Sequence, residues 1–254
     1  MKDLAGIGRD AIGMTPVTPD LSIIIPTFNE AENVRPLIAR LEATLAGHAW
    51  EAIVVDDDSP DQTAQVVSEI GEASPHIHCI RRIGRRGLSS AVIEGVLSAT
   101  APCIAVIDAD LQHDERILPT MLRELGSGKV DLAISSRYVA GGEVGSWSGV
   151  RHAMSRLATH LSRLVINQPL NDPMSGFFMV RRASFLAAIN HLSGTGYKIL
   201  LDLLASSPQP LRFVEIPYEF RPRVHGESKL SARVLAEYAI MLVQKRAAAR
   251  RRVG

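Results

Sequence analysis

The 254-residue sequence has only two cysteines, Cys79 and Cys103, and neither belongs to a CxxC pair. A disulfide scaffold and a zinc-finger protein are therefore disfavoured, and a reducing, cytosolic compartment is expected. The sequence also has no long apolar run, since residues 238–243 fall far short of the ~20 residues that cross a bilayer. The formal net charge of +1 disfavours a general nucleic-acid binder, and the 46% of hydrophobic residues excludes a disordered low-complexity chain.

Two common phosphate-binding signatures are missing as well. There is no GxxxxGK[ST] segment, and no GxGxxG segment follows a predicted strand. P-loop and dinucleotide chemistry are therefore disfavoured, and a bound phosphate must be neutralised by a metal ion and by Arg or Lys. Residues 1–20 mix charges, glycine and proline without the apolar core of a signal peptide, so we expect a flexible leader there.

Short apolar runs alternate with segments of helical periodicity along the first half of the chain. The runs span residues 21–25, 52–55, 77–80, 103–107 and 132–135. Continuous apolar strands that alternate with helices are typical of an α/β fold, with a mostly parallel sheet covered by helices on both faces. After the second run, Ser59 and Pro60 match an N-cap and the first position of a helix.

Acidic side chains follow several of these predicted strands. They occur in residues 26–30, 56–61 and 108–112, directly after the first, second and fourth runs. Parallel strands end at one edge of a sheet, where ligands bind in such folds. Asp108 and Asp110 offer hard oxygen ligands of the kind that Mg²⁺ or Mn²⁺ prefers. The alternative is that Asp and Asn merely favour turns and N-caps, which explains three successive clusters less well than one.

Five motifs occur in chain order: Pro26-Thr-Phe-Asn-Glu30, Val55-Asp-Asp-Asp-Ser-Pro-Asp61, Gly87-Leu-Ser-Ser-Ala-Val92, Asp108-Ala-Asp-Leu-Gln-His113 and Gly226-Glu-Ser-Lys229. Together they resemble the polyprenyl- and dolichyl-phosphate mannose synthases, which are inverting family 2 glycosyltransferases of the GT-A fold. The resemblance extends from about residue 21 to residue 232. The sequence departs from the commonest pattern at Phe28, where Tyr is frequent, and at Asp58, where many members have Gly.

The resemblance implies roles for individual residues. The donor nucleotide sugar is expected to contact Pro26, Phe28, Glu30, Val55, Asp57, Asp108, Ala109, Asp110, Gln112, Arg223 and Lys229. A metal ion, Mg²⁺ or Mn²⁺, is expected on Asp108, Asp110 and Gln112. The acceptor phosphate is expected on Arg137, Arg151 and Ser155, and the catalytic set is Asp110, Arg137, Arg151, Ser155, Arg223 and Lys229.

Further positions receive weaker interpretations. The loop 171–177 is expected to line the site through Asp172 and Ser175. Asp202 is expected to support residues of the site rather than to contact a substrate. None of the eight histidines has metal-ligand spacing, and His113 is interpreted as a residue at a helix start.

The implied reaction is transfer of mannose from GDP-mannose to a polyprenyl (dolichyl) monophosphate with inversion of the anomeric centre. Because a lipid phosphate is already ionised at neutral pH, it needs no strong general base, and direct displacement is expected. Two alternatives stay open: a family 2 transferase of another sugar, such as glucose or an amino sugar, and a non-catalytic subunit that binds a nucleotide sugar. A donor screen with GDP- and UDP-sugars separates the first alternative from mannose transfer. Metal-dependent donor binding without turnover would support the second.

The charge distribution suggests contact with a membrane. Residues 150–167 carry a net charge of +3 and residues 223–254 carry +6, so the remainder carries −8. Basic amphipathic helices bind anionic interfaces, and the alternative is that each apolar stripe packs on the core. We therefore expect a leader at 1–20, a GT-A catalytic domain at 21–232 with an interface helix at 150–167, and a basic helix or tail at 233–254. The expected location is peripheral, on the cytoplasmic face of a membrane, where a separate membrane-anchor protein is a candidate partner.

Overall fold

A computed structural model describes residues 18–142, 166 and 168–222 of the chain. Apart from residues 18–20 and Ile166, the expected leader, interface helix and basic tail lie outside this described part. The expectations about these three segments therefore stay predictions.

Seven strands form a single sheet: β1 (Leu21–Thr27), β2 (Trp50–Asp56), β3 (Ile77–Arg81), β4 (Cys103–Val106), β5 (Leu132–Ser136), β6 (Phe178–Arg181) and β7 (Phe213–Pro217). Their spatial order is β3-β2-β1-β4-β6-β5-β7. All neighbours are parallel except that β6 lies antiparallel between β4 and β5. Every strand other than β6 therefore ends at the same edge of the sheet, which we call the carboxyl edge.

Helices cover both faces of this sheet. In the described ranges they are α1 (Ala31–Thr44), α2 (Thr63–Ala73), α3 (Leu88–Ser98), α4 (Leu118–Gly126), α5 (Arg182–Ala188) and α6 (Ile199–Ser206). One core joins one face of the sheet to α1, α2 and α4, and a second core joins the opposite face to α3, α5 and α6. The α/β architecture expected from the sequence is confirmed, because the central strands β1 and β2 are buried on both faces as their continuous apolar runs predict.

The predicted start of the second helix is wrong. Helix α2 begins at Thr63 rather than at Pro60, and Asp61 accepts hydrogen bonds from the backbone and hydroxyl of Thr63. The Ser59 hydroxyl is directed instead towards Asp56, to which it donates a hydrogen bond of 2.5 Å. A long-range constraint at the sheet edge therefore overrides the local helix-start pattern of Ser59 and Pro60.

Strands β6 and β7 were not predicted. Strand β6 has only four residues and follows a turn-rich loop, so its local pattern is short. Its place is decided by antiparallel pairing with β4 and β5, which are distant in sequence.

Within the described ranges, no helix combines the length and the apolar content needed to cross a membrane.

Two glycines in helices provide a matched test of this packing. A Cβ added at Gly95 in α3 would lie 2.5 Å from a methyl carbon of Ile24 and 3.1 Å from one of Val55, whereas a Cβ at Gly126, the last residue of α4, meets nothing within 4 Å. We expect Gly95→Ala to lower the free energy of unfolding by about 1–3 kcal/mol through overpacking. Gly126→Ala should be neutral or stabilising by up to about 1 kcal/mol. Urea unfolding curves measure both, and equal effects would contradict the described contact between α3 and the sheet.

Candidate active site at the carboxyl edge

The first acidic cluster contains a carboxylate, Asp56, that holds the turn after β2 together. Asp56 is fully buried, and its oxygens accept hydrogen bonds from the hydroxyl of Thr27 (3.0 Å) and from the backbone and hydroxyl of Ser59 (2.9 and 2.5 Å). Asp56 therefore fixes the turn after β2. The neighbouring Asp58 has a φ of 56°, a left-handed conformation that Gly adopts more readily than other residues.

Asp57 lies between this turn and the start of α3. Its Oδ2 accepts a hydrogen bond of 2.6 Å from the backbone of Gly87, and its Oδ1 lies 3.4 Å from Nη1 of Arg82. The side chain of Arg82 is only 2% exposed and also donates to the Ser90 hydroxyl (2.7 Å) and the Gly87 carbonyl (3.2 Å). Arg82 belongs to none of the predicted motifs, and its one signal in the sequence is its place directly after β3 in an arginine-rich loop.

The motif after β1 forms the next wall of the edge. Phe28 is partly buried, and the guanidinium carbon of Arg86 lies 4.4 Å from the centre of its ring. The side chain of Glu30 accepts a hydrogen bond of 2.7 Å from the Asn33 amide, and its backbone donates to the Thr63 hydroxyl at 3.0 Å. These contacts fix the loop between β1 and α1 against the turn after β2.

Two predicted donor-binding residues are parts of the sheet itself. Pro26 in β1 is partly buried and pairs in register with Val55 of β2, which is fully buried. The structure therefore places the side chain of Val55 in the hydrophobic core. A contact between Val55 and the donor stays a prediction. Pro26, Phe28, Glu30 and Asp57 all lie at the carboxyl edge.

The Asp108–Gln112 motif follows β4 at the centre of the edge. Asp110 is 7% exposed and accepts a hydrogen bond of 3.2 Å from the backbone of Gln112, while Ala109 is buried. The Gln112 side-chain amide donates to the Arg221 carbonyl at 3.1 Å, and the Arg221 backbone donates to the Gln112 carbonyl at 2.9 Å. The segment after β7 therefore holds the end of the motif in place.

Asp108 is the more open of the two carboxylates. Its side chain is 34% exposed, and its Oδ2 lies 3.3 Å from Nε2 of the buried His113. The interpretation of His113 as a simple helix-start residue is wrong, because the helical turn begins at Glu115. The ring of His113 instead packs against Phe177 and Tyr218, with centroid separations of 5.4 and 5.8 Å. These contacts hold the ring beside Asp108.

The donor atoms of Asp108 and Asp110 fit a divalent metal ion. Both provide hard oxygen ligands, and Gly176 leaves space at the first of them, since a Cβ there would lie 2.7 Å from Oδ2 of Asp108. In the residues that the structure describes, no group of three or more His, Cys, Asp or Glu side chains converges as a metal site. Two carboxylates suffice for Mg²⁺ when substrate phosphates and water complete its shell. A role of Gln112 as a ligand stays a prediction.

A buried ion pair lies beside this pair of carboxylates. Arg137 after β5 donates from Nε and Nη2 to the two oxygens of Asp172 at 2.7 and 2.8 Å, and Asp172 is fully buried. Burial acts to lower the pKa of Arg137, but the hydrogen bonds and charge of Asp172 outweigh it and raise the pKa above its ordinary value. Asp172 is held in turn by Glu215, which accepts its backbone N–H at 3.1 Å.

The loop 171–177 contacts both Arg137 and Asp108, and its expected role in lining the site stays a prediction. Asp172 anchors Arg137, Gly176 lies against Asp108, and the Ser175 hydroxyl lies 2.9 Å from that of Ser135. Asp202 is fully buried in the first turn of α6, where it accepts hydrogen bonds from Ser193. Four predicted site residues lie outside the described part of the chain: Arg151, Ser155, Arg223 and Lys229.

Comparison with known proteins identifies the class to which this site belongs. Residues 22–187 match the family described as "Glycosyl transferase family 2". The chain belongs to this family, and its mostly parallel sheet flanked by helices is the GT-A fold. The resemblance seen in the sequence is thereby confirmed.

Three relatives share one name, "Dolichol-phosphate mannosyltransferase". The protein from Pyrococcus furiosus is 39% identical over 220 residues, which cover 86% of this chain and 61% of the relative. The protein from Mycosarcoma maydis is 36% identical over 91% of this chain and 80% of its own length. The Saccharomyces cerevisiae protein is 34% identical over 86% of this chain and 84% of its own length. This chain therefore spans less than two thirds of the Pyrococcus protein.

Solved structures support the fold. Glucosyl-3-phosphoglycerate synthase from Mycobacterium tuberculosis, in complex with Mn²⁺, UDP-glucose and phosphoglyceric acid, superposes with a TM-score of 0.66 at 16% identity, over 89% of this chain and 79% of that one. The same synthase with Mg²⁺ and UDP gives a TM-score of 0.65 at 16% identity, with the same coverage. At this identity the likeness concerns the fold, and the divalent ions are properties of that synthase.

Two ion pairs of the same geometry test the buried one at the site. Arg212 contacts Asp131 with its Nε, Nη2 and backbone N–H, as Arg137 contacts Asp172, but the side chain of Arg212 is 59% exposed. We expect Asp172→Asn to lower the free energy of unfolding by about 3 kcal/mol, because it leaves a buried guanidinium without its carboxylate. Asp131→Asn should cost much less, because solvent replaces the lost charge. Urea unfolding at neutral pH measures the difference, and equal losses would contradict the assignment of Arg137–Asp172 as a buried pair.

Proposed function

We propose that the protein transfers mannose from GDP-mannose to a polyprenyl (dolichyl) monophosphate with inversion, giving polyprenyl-phosphate-β-mannose and GDP. The observation that carries this proposal is the placement of Asp108 and Asp110 between Asp57 on one side and the Arg137–Asp172 pair on the other, along one sheet edge. The substrate class is supported by the shared name of relatives that are 34% to 39% identical to this chain.

The donor occupies the side of the edge formed by β1, β2 and β4. Phe28, Glu30 and Asp57 face the nucleoside, while Asp108 and Asp110 lie at the diphosphate. These two carboxylates would hold Mg²⁺ or Mn²⁺, and Gln112 is proposed as a further ligand. When bound, the ion neutralises charge that develops on the departing diphosphate. Arg223 and Lys229 are proposed to add hydrogen bonds to the same diphosphate.

The acceptor occupies the side formed by β5 and the loop 171–177. An ionised oxygen of the lipid phosphate attacks the anomeric carbon, the bond from that carbon to the diphosphate breaks, and the electron pair leaves with GDP. Arg137, held rigid by Asp172, positions the attacking phosphate together with Arg151 and Ser155. Attack from the side opposite the leaving group gives the inverted product.

A lipid acceptor requires the protein to work at a membrane surface. The net charges of +3 on residues 150–167 and +6 on residues 223–254 suit an anionic leaflet. We propose peripheral binding at the cytoplasmic face through these segments, with a separate membrane-anchor protein as a candidate partner.

The role of Asp110 gives the first test. Asp110→Asn preserves the shape of the side chain and an oxygen to accept the Gln112 N–H, but removes the charge at the diphosphate. We expect kcat/KM for mannose transfer to fall at least about 100-fold without a change in the unfolding midpoint. Transfer of radiolabelled mannose into lipid extract measures the activity. Glu72→Gln, which neutralises an exposed carboxylate in α2, is the control and should be fully active. Full activity of Asp110→Asn would refute the assignment.

A screen of donors and metals tests the reaction itself. Radiolabelled GDP-mannose should label polyprenyl phosphate, EDTA should abolish the labelling, and added Mg²⁺ or Mn²⁺ should restore it. UDP-glucose and UDP-N-acetylglucosamine should label the lipid weakly or not at all. Faster transfer from a UDP-sugar would assign the protein to another donor, and metal-dependent binding of GDP-mannose without turnover would indicate a non-catalytic subunit.

A further inference from the structure

A lysine that the sequence motifs do not include lies beside the site. Lys198 immediately precedes α6, and its side chain is partly buried. Its ammonium group donates to the carbonyl of Met174 at 3.5 Å, at the outer limit for a hydrogen bond. Lys198 does not cap α6 with its side chain. Burying a lysine for so weak a contact is costly, so a structural role alone explains its position poorly.

The loop 171–177 connects Lys198 to both parts of the site. Met174, which receives the lysine, lies between Asp172, the partner of Arg137, and Gly176, which lies against Asp108. A single short loop therefore brings the ammonium group of Lys198 to the region between the carboxylate of Asp108 and the guanidinium of Arg137.

The charges around Lys198 come from Asp108, Arg137 and Asp172. The charge of Arg137 is balanced by Asp172, at 2.7 and 2.8 Å. In the described part of the chain, no carboxylate forms an ion pair with Lys198. Burial lowers the pKa of Lys198, and the charge of Arg137 lowers it further. The carboxylates of Asp108 and Asp172 act in the opposite direction, which places Lys198 within their electrostatic reach.

We propose that the Lys198 ammonium group binds a phosphate oxygen of the lipid monophosphate acceptor, as a substrate-binding residue additional to Arg137. This inference rests on the proposed function. The sheet order favours the acceptor over the donor, because Asp57 follows β2 and Arg137 follows β5, on opposite sides of Asp108 after β4. Lys198 reaches the Arg137 side of this row, where the attacking phosphate is placed.

The test uses three variants of the full chain in a steady-state assay with GDP-mannose and a short-chain polyprenyl phosphate. Lys198→Met keeps the length of the side chain without its charge, and should raise the KM for the lipid phosphate about 10- to 100-fold through loss of a charge-assisted hydrogen bond. The KM for GDP-mannose and the inhibition constant of GDP should change less than about twofold. Lys198→Arg should recover most of the lost affinity, because it restores the charge.

Lys129→Met is the matched control, since Lys129 is exposed after α4, and it should leave both KM values unchanged. The unfolding midpoint of Lys198→Met should be unchanged or raised, because a buried charge is removed. A lowered midpoint together with unchanged KM values would show a purely structural lysine and overturn the inference.

Two further outcomes are informative. A rise in the inhibition constant of GDP with an unchanged KM for the lipid phosphate would assign Lys198 to the donor diphosphate and overturn the inference. If the wild-type protein itself transfers no mannose to the lipid phosphate, the proposed function fails. In that case, binding of the same polyprenyl phosphate to the wild-type protein and to Lys198→Met is measured without GDP. Loss of binding in the variant would support a phosphate site at Lys198, and unchanged binding would refute it.

Discussion

The electrostatic cost of gathering carboxylates at one edge of a sheet is the constraint on which this structure depends. Like charges placed close together raise one another's pKa unless donors or cations compensate them. Asp56 is compensated by hydroxyl and backbone donors, and Asp57 by a backbone N–H and the buried Arg82. Asp172 is compensated by Arg137. Asp108 and Asp110 lie between these arrangements and provide hard oxygen ligands of the kind that a divalent ion prefers.

The sheet order converts this constraint into a spatial arrangement of two substrates. Along the carboxyl edge, the ends of β2, β1, β4 and β5 follow one another, with β6 inserted between the last two. In the proposed reaction, the nucleotide, the diphosphate and the acceptor phosphate therefore form a row. The antiparallel β6 is preceded by the loop 171–177, and the insertion of β6 brings that loop against Asp108. An attacking phosphate and a departing diphosphate can thus occupy opposite ends of one site.

Much of this arrangement could be predicted from local sequence. The apolar runs gave the parallel strands β1 to β5, and the acidic segments after them predicted the edge at which the site lies. Local patterns failed where distant contacts decide the outcome. Ser59 binds Asp56 rather than capping a helix, and β6 depends on partners distant in sequence. Arg82 and Lys198 have no motif of their own, and their positions follow from packing against α3 and against the loop 171–177.

The anomeric configuration of the product tests the central claim most directly. Nuclear magnetic resonance of the purified mannosyl lipid, made from the α-linked donor GDP-mannose, distinguishes the two anomers by the one-bond carbon–hydrogen coupling at the anomeric centre. A single displacement across the row of groups from Arg137 to Asp108 predicts the β anomer. The α anomer would contradict direct attack by the lipid phosphate from the side opposite the diphosphate.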